Sequence, residues 1–287
     1  MNPYIIFTDT GCDIAGEKLA EWGVVAQSLS FRFDGSEQEY HSDDMKPCDF
    51  YNEMRAGKIA RTAAVNAEDF RTAFEAELKK GNDVLYLGFS SGLSTTYNSG
   101  RLAAEDLTKE YPDRKIIAVD TLSASAGAGL LVYLAVQKKA DGASIEEVAQ
   151  YIESIKLNLC HWFTVEDLVY LKRGGRVSPA VALVGGMLGI KPVMHVDNKG
   201  HLIKVTTARG RKASLKALAD RYAELVMDVN APVFISHGDC LDDTVTLSDM
   251  LKAHGATDIQ YIADIGPVLG AHSGPGTMAV FFLGKER

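Results

Sequence analysis

The sequence predicts a two-domain α/β protein, with a mostly parallel sheet in the first part and a mixed sheet in the second. Three observations carry this. The apolar runs Ile5-Ile6-Phe7, Val84-Leu85-Tyr86-Leu87 and Ile116-Ile117-Ala118-Val119 are separated by helix-period patterns, as buried parallel strands are. The turn Asp197-Asn198-Lys199-Gly200 joins two later strands directly, which forces an antiparallel pair. The 287 residues, 46% of them hydrophobic, exceed what one moderate core requires.

In chain order, the first run ends in Thr8-Asp9-Thr10-Gly11 and a helix is expected over 15–22. Residues 24–33, followed by Asp34-Gly35, read as a strand entering a hairpin. Helices are expected over 49–55, 67–80, 94–109, 125–140 and 145–156, with Asn66 before Asp69 and Ser144 before Glu147 as N-caps. The second and third apolar runs break into Gly88-Phe89-Ser90-Ser91-Gly92 and Asp120-Thr121. Ligands of parallel sheets sit beyond such carboxyl ends. A second domain is expected over 159–287 after a first over 1–158, with strands at 161–165, 190–196, 201–207, 232–237, 259–265 and 278–283 and helices at 212–228 and 243–254. No Pro/Gly-rich linker separates the two, so they should abut and leave a cleft, a common place for small molecules.

Thirty Lys and Arg against thirty-eight Asp and Glu give a net charge of -8, which disfavours nucleic acid and anionic membranes. Cys12, Cys48, Cys160 and Cys240 show no framework spacing and read as free thiols of a reducing compartment. No secretory leader is visible and the charge-free stretches 121–137 and 177–190 are too short to span a bilayer, so a cytoplasmic location is expected.

Gly88-Phe89-Ser90-Ser91-Gly92 matches the G-x-S-x-G nucleophile elbow, and Asp264 and His272 follow in the order a hydrolase triad requires. A serine hydrolase using Ser90 is therefore one reading. The other use of Ser91-Gly92-Leu93-Ser94-Thr95-Thr96 is to present hydroxyl and N–H groups to a carboxylate or phosphate at a helix start, or simply to cap that helix. Residues 266–276 hold four glycines and two prolines and read as a loop, in which His272 is exposed to close approach by a ligand. Arg176 follows Lys172-Arg173-Gly174-Gly175 and could present its fork to an anion, although a helix C-cap at Gly174 explains the preceding cations. His237-Gly238-Asp239-Cys240 and Cys160-His161 lack metal-ligand spacing, and no P-loop occurs, so neither a metal nor a nucleotide cofactor is expected. The block 198–219 carries six cations and no acid, suited to an acidic partner or to plain solvation.

Taken in order, Thr8-Asp9-Thr10-Gly11-Cys12-Asp13, Arg61-Thr62, Ser90-Ser91-Gly92-Leu93-Ser94-Thr95-Thr96-Tyr97, Val119-Asp120-Thr121, the stretch Leu168 to Ser178 and the stretch Gly266 to Gly276 resemble the DegV family of bacterial fatty-acid-binding proteins. The resemblance spans nearly the whole chain. It implies an α/β/α domain packed on a mixed-sheet domain, with a long-chain fatty acid between them and no other cofactor. It also implies that the chain is not itself an enzyme: in fatty acid kinase systems such a subunit presents the acid to a separate kinase catalytic subunit, which makes the acyl phosphate. Carried over, Thr62, Ser94, Ser91 and His272 would contact the carboxylate and Arg176 would face the carboxylate mouth and the kinase. The family's Ser-Gln-Pro-Ser after the threonine is replaced by Ala63-Ala64-Val65-Asn66. About fourteen methylenes buried at ~0.8 kcal/mol each would contribute about 11 kcal/mol before ordering costs, so the tail would dominate affinity. The small apolar stretches 124–134 and 180–190 are candidates for lining its tunnel, or for ordinary core.

Overall fold

The computed structural model describes residues 2–178 and 189–287. The first part runs β1 (Tyr4–Asp9), a 3-10 turn (Thr10–Cys12), α1 (Gly16–Glu21), β2 (Val24–Gln27), β3 (Ser30–Phe33), β4 (Tyr40–His41), α2 (Pro47–Arg55), β5 (Ala60–Ala63), α3 (Ala67–Lys79), β6 (Asp83–Gly88), α4 (Thr96–Glu110), β7 (Ile116–Asp120), α5 (Ala126–Ala140) and α6 (Ile145–Ile155). Strands β2-β1-β6-β7 form an all-parallel sheet. Alternation sends Ile6, Leu85 and Leu87 to one core with Leu130, Leu131 and Ile152 of α5 and α6. Phe7, Val84 and Tyr86 go to the other, with Phe70 and Phe74 of α3 and Leu107 of α4. The result is an α/β/α sandwich.

Two helix starts follow the sequence signals directly. Asn66 Oδ1 accepts from Asp69 N at 2.9 Å, and Ser144 with Glu147 closes a reciprocal capping box. The expected strand over 24–33 is instead two strands in different sheets: β2 pairs with β1, while β3 joins a small antiparallel sheet in the order β4-β3-β5. Gln27, Ser28 and Leu29 carry the chain between sheets, with Leu29 N donating to Thr10 Oγ1 at 3.0 Å. Strand β5, which carries Thr62, was not foreseen.

The second part continues with β8 (Leu159–Thr164), α7 (Val169–Arg173), β9 (Ile190–Val196), β10 (Leu202–Arg209), α8 (Arg211–Leu225), β11 (Val233–His237), α9 (Leu241–Ala253), β12 (Ile259–Asp264), α10 (Pro267–Ser273) and β13 (Met278–Leu283). The six-stranded sheet β10-β9-β8-β13-β11-β12 is mixed, since only β11 and β12 run parallel. Residues 266–276, expected as a loop, contain helix α10. Pro267 occupies its first turn, where a missing N–H costs nothing, and Gly274 ends it at φ 82°. Most of the stretch 180–190 lies outside the described residues, so its tunnel-lining role is not placed; of 124–134, Ala124 and Ser125 reach the cavity described below.

Helix α5 packs on the parallel sheet and on β8, β11 and β13 of the mixed sheet. A helix covered on both sides should be apolar all round. Ala126 through Val132 are all buried accordingly. Its glycines set the approach: a Cβ at Gly127 would lie 2.5 Å from His161 Nε2. No helix among the described residues is long and apolar enough to cross a membrane.

Candidate functional site

A cavity of about 490 Å³ opens where the small sheet, the loops after β6 and β7, and the mixed sheet meet. Its polar end is assembled from four segments. Helix α10 packs on α2, α7, β3 and β5, which brings His272 to Thr62. Their Nε2 and Oγ1 atoms are 2.8 Å apart. Ser94 Oγ lies 2.9 Å from Thr96 Oγ1 and accepts from Thr96 N at 3.2 Å, so this serine holds the first N–H of α4 and lines the cavity at once. Arg176 donates from Nε and Nη2 to Leu93 O at 3.1 and 2.9 Å, and from Nη1 to Gly174 O at 2.5 Å. No carboxylate among the described residues pairs with it.

Burial, and then the charge of Arg176, pushes the His272 imidazole down to about 4, so it is neutral near pH 7. Its Nδ1 has no hydrogen-bond partner among the described residues. Gly174 makes room for it, because a Cβ there would sit 2.0 Å from Nδ1. The end therefore offers hydroxyls, an imidazole and a half-buried guanidinium, a set that can donate to an anion. No Asp or Glu lines the cavity among the described residues.

The remaining wall is largely hydrocarbon, from Leu29, Phe89, Phe163, Val268, Leu269 and Phe281 among others. Three carboxylates, two at strand ends and one just past the 3-10 turn, hold the surrounding loops without entering the cavity. Asp9 accepts from Gly11 N, Phe89 N and Tyr86 Oη at 2.8–3.1 Å. Asp120 accepts from Ser91 N and Leu122 N. Asp13 accepts from Ser125 Oγ at 2.6 Å and from Gly266 N at 2.9 Å, and Ser125 Oγ lies 3.0 Å from Ser236 Oγ. Both Asp13 (φ 50°) and Ser125 (φ 54°) hold left-handed backbone, strain that these bonds offset.

All five residues expected at the site, Thr62, Ser91, Ser94, His272 and Arg176, line this one cavity. Thr95 and Ser125, from the stretches 91–96 and 124–134 already offered as lining, reach it too, whereas Ser273, Ser236 and His161 line it and were missed. The hydrolase triad is not assembled. Ser90 is fully buried, donates to Gly200 O at 3.0 Å and accepts from Gly92 N. His272 serves Thr62 instead, and Asp264 lies 3.5 Å from His237. Ser90 thus fastens the β6 loop to the β9–β10 turn. Among the described residues no group of three or more metal-type side chains could hold an ion, and all four cysteines are free.

Fold and site define a two-domain α/β protein enclosing a largely apolar cavity, one end of which carries hydroxyls, an imidazole and a guanidinium. The model of the DegV family, whose description is of uncharacterised proteins, matches residues 4–285, and the chain belongs to that family. A DegV domain-containing protein of Clostridium perfringens is 42% identical over 289 residues, covering 100% of this chain and 99% of its own. A fatty-acid-binding DegV family protein of Thermus thermophilus is 27% identical with a TM-score of 0.86, covering 97% of this chain and 98% of its own. A DegV lipid-binding protein of Thermotoga maritima is 28% identical with a TM-score of 0.85, covering 99% of each chain.

Proposed function

We propose that this protein binds one long-chain fatty acid in its cavity, between the part built on the parallel sheet (1–158) and the part built on the mixed sheet (159–287), and presents the carboxylate to a separate fatty acid kinase subunit. The observation that carries the reading is the meeting of Thr62, His272 and Ser94 in a cavity whose wall is largely hydrocarbon and, among the described residues, free of carboxylates. A fatty acid has that same division between a polar head and an apolar tail. Ser91 and Arg176 line the same cavity. The fatty-acid-binding DegV relative supports the ligand class. The kinase step follows the family resemblance and the position of Arg176, whose charge is held by backbone carbonyls and stays available to a phosphate or an acidic surface.

The test is organic extraction of protein purified from a bacterial host, with mass spectrometry of the extract. One C14 to C18 acid per chain is expected. No lipid, and no uptake of added palmitate or oleate, would sink the reading. A fluorophosphonate probe should leave Ser90 unlabelled.

A further inference from the structure

One buried polar atom on the cavity wall has no protein partner and lies away from the carboxylate end. Along β8, Leu159, His161 and Phe163 face α5, while Cys160 and Trp162 face the core beneath α8. Cross-strand register places Phe163 beside Ala279 and Ala279 beside Ser236; the next row pairs His161 with Phe281 and Phe281 with Phe234. Thr277, two residues before Ala279, donates to Ser273 O at 3.0 Å and so marks the head-group end. At ~3.3 Å per residue His161 lies two rows, about 13 Å, further in.

His161 is 1% exposed. Its Nδ1 is 3.1 Å from Leu159 O, and a carbonyl only accepts, so Nδ1 carries the proton. Burial, reinforced by the Arg287 charge, holds the ring neutral, with its pKa well below the usual value. Nε2 is then a bare lone pair, and among the described residues it has no hydrogen-bond partner. Gly127 leaves the ring its space, since a Cβ there would lie 2.5 Å from Nε2. Ser125 and Ser236, one row nearer the head, add further polarity to a wall that an unsubstituted acyl chain needs only as hydrocarbon. A methylene cannot donate to Nε2. A hydroxyl on the chain can.

We propose that the cavity takes long-chain acids bearing a hydroxyl on the inner half of the chain, with the hydroxyl donating to His161 Nε2. The inference rests on the fatty-acid reading and narrows it to a substrate class. A site with a buried group meant for a hydroxyl discriminates against the analogue that lacks one, because that group is then left unpaired.

The test compares binding of stearic acid with stearic acid hydroxylated at carbon 2, 10 or 12, using delipidated full-length protein. The 10- or 12-hydroxy acid should bind about tenfold more tightly than stearic acid, and the 2-hydroxy acid should show no such gain. His161→Phe should erase that ratio while stearic acid still binds, and His161→Gln, which keeps an acceptor, should restore part of it. Inner-chain hydroxy acids binding wild type no better than stearic acid would overturn the proposal, with no variant needed. An unchanged ratio in folded His161→Phe would overturn it too. Failure of stearic acid and all the hydroxy acids to bind would instead remove the fatty-acid reading, and this proposal with it.

Discussion

At the Thr62–His272 end of the cavity, side chains from β5, α10 and the loop before α4 meet with no carboxylate among them, whereas the Ser125–Ser236 wall is built on the carboxylate of Asp13. Both faces are polar, yet they treat charge in opposite ways. An anionic head at the inner wall would approach Asp13 through a single serine. At the outer end it meets hydroxyls, a neutral imidazole and Arg176. In the proposed function, the orientation of the amphiphile is thus set by where carboxylates are withheld, with no salt bridge needed at the head.

The strongest way to break this contrast is Asp13→Ala. It leaves the Gly266 N–H unpaired and the Ser125 hydroxyl with Ser236 alone, at a left-handed backbone position, and should cost about 3 kcal/mol of stability. In a protein of this size the melting temperature should fall by about 6–12 °C. Burial also raises the Asp13 carboxyl to about 7 and that of Asp9 to about 6. Each binds its proton more tightly folded than unfolded, so each contributes stability that is lost as pH rises from about 4 to its folded value. Asp13→Asn should flatten that slope between pH 4 and 7 in thermal melts. A slope identical to wild type would remove Asp13 from the account.

Thr62→Ala and His272→Ala come next. Each removes a partner from the head-group end and should weaken palmitate binding by about 1–3 kcal/mol, roughly five- to 150-fold. The check is the thermal shift on loading. Equal shifts in wild type and both variants would place the head group elsewhere.

A smaller effect sharpens the same contrast through protonation. In the free protein His272 titrates at about 4, and the stability its neutral form contributes is full above pH 6.5 and lost as pH falls toward 4. A carboxylate bound beside it favours the imidazolium, so loading should move the midpoint upward. NMR titration of the His272 ring, free and loaded, reads this directly. No upward movement would mean that no anion sits there.

The contrast also explains what the sequence made legible. Strand ends β1, β6 and β7 stood out because buried parallel strands are unbroken apolar runs ended by polar residues. Strand β5 did not, since its four residues, two half-buried and two exposed, carry no such run, and Thr62 entered only through the family resemblance. Helix α10 was hidden by glycine-rich flanks, although Pro267 was a usable start signal. Ser236 and His161 sit inside apolar strands and looked like ordinary sheet residues. Only the register across β8, β13 and β11 turns them toward the cavity.

Arg176 tests whether the outer end holds its ligand or hands it on, and its expected effect on loading is the smallest. The guanidinium is held by Leu93 O and Gly174 O, and partial desolvation lowers its pKa without neutralising it. A buried tail supplies most of the binding free energy, and a half-buried charge is screened by salt. Arg176→Ala should therefore load palmitate within about threefold of wild type, a difference of under 1 kcal/mol. Transfer is another matter, because phosphorylation adds negative charge at the mouth, where a fixed cation with a planar fork acts most strongly. With a cognate kinase subunit and ATP, acyl-phosphate formation per loaded chain should slow at least tenfold. Loading and phosphorylation measured on one preparation separate the two roles. Lost loading with unchanged transfer per loaded chain would make Arg176 part of the ligand-holding end, beside Thr62 and His272.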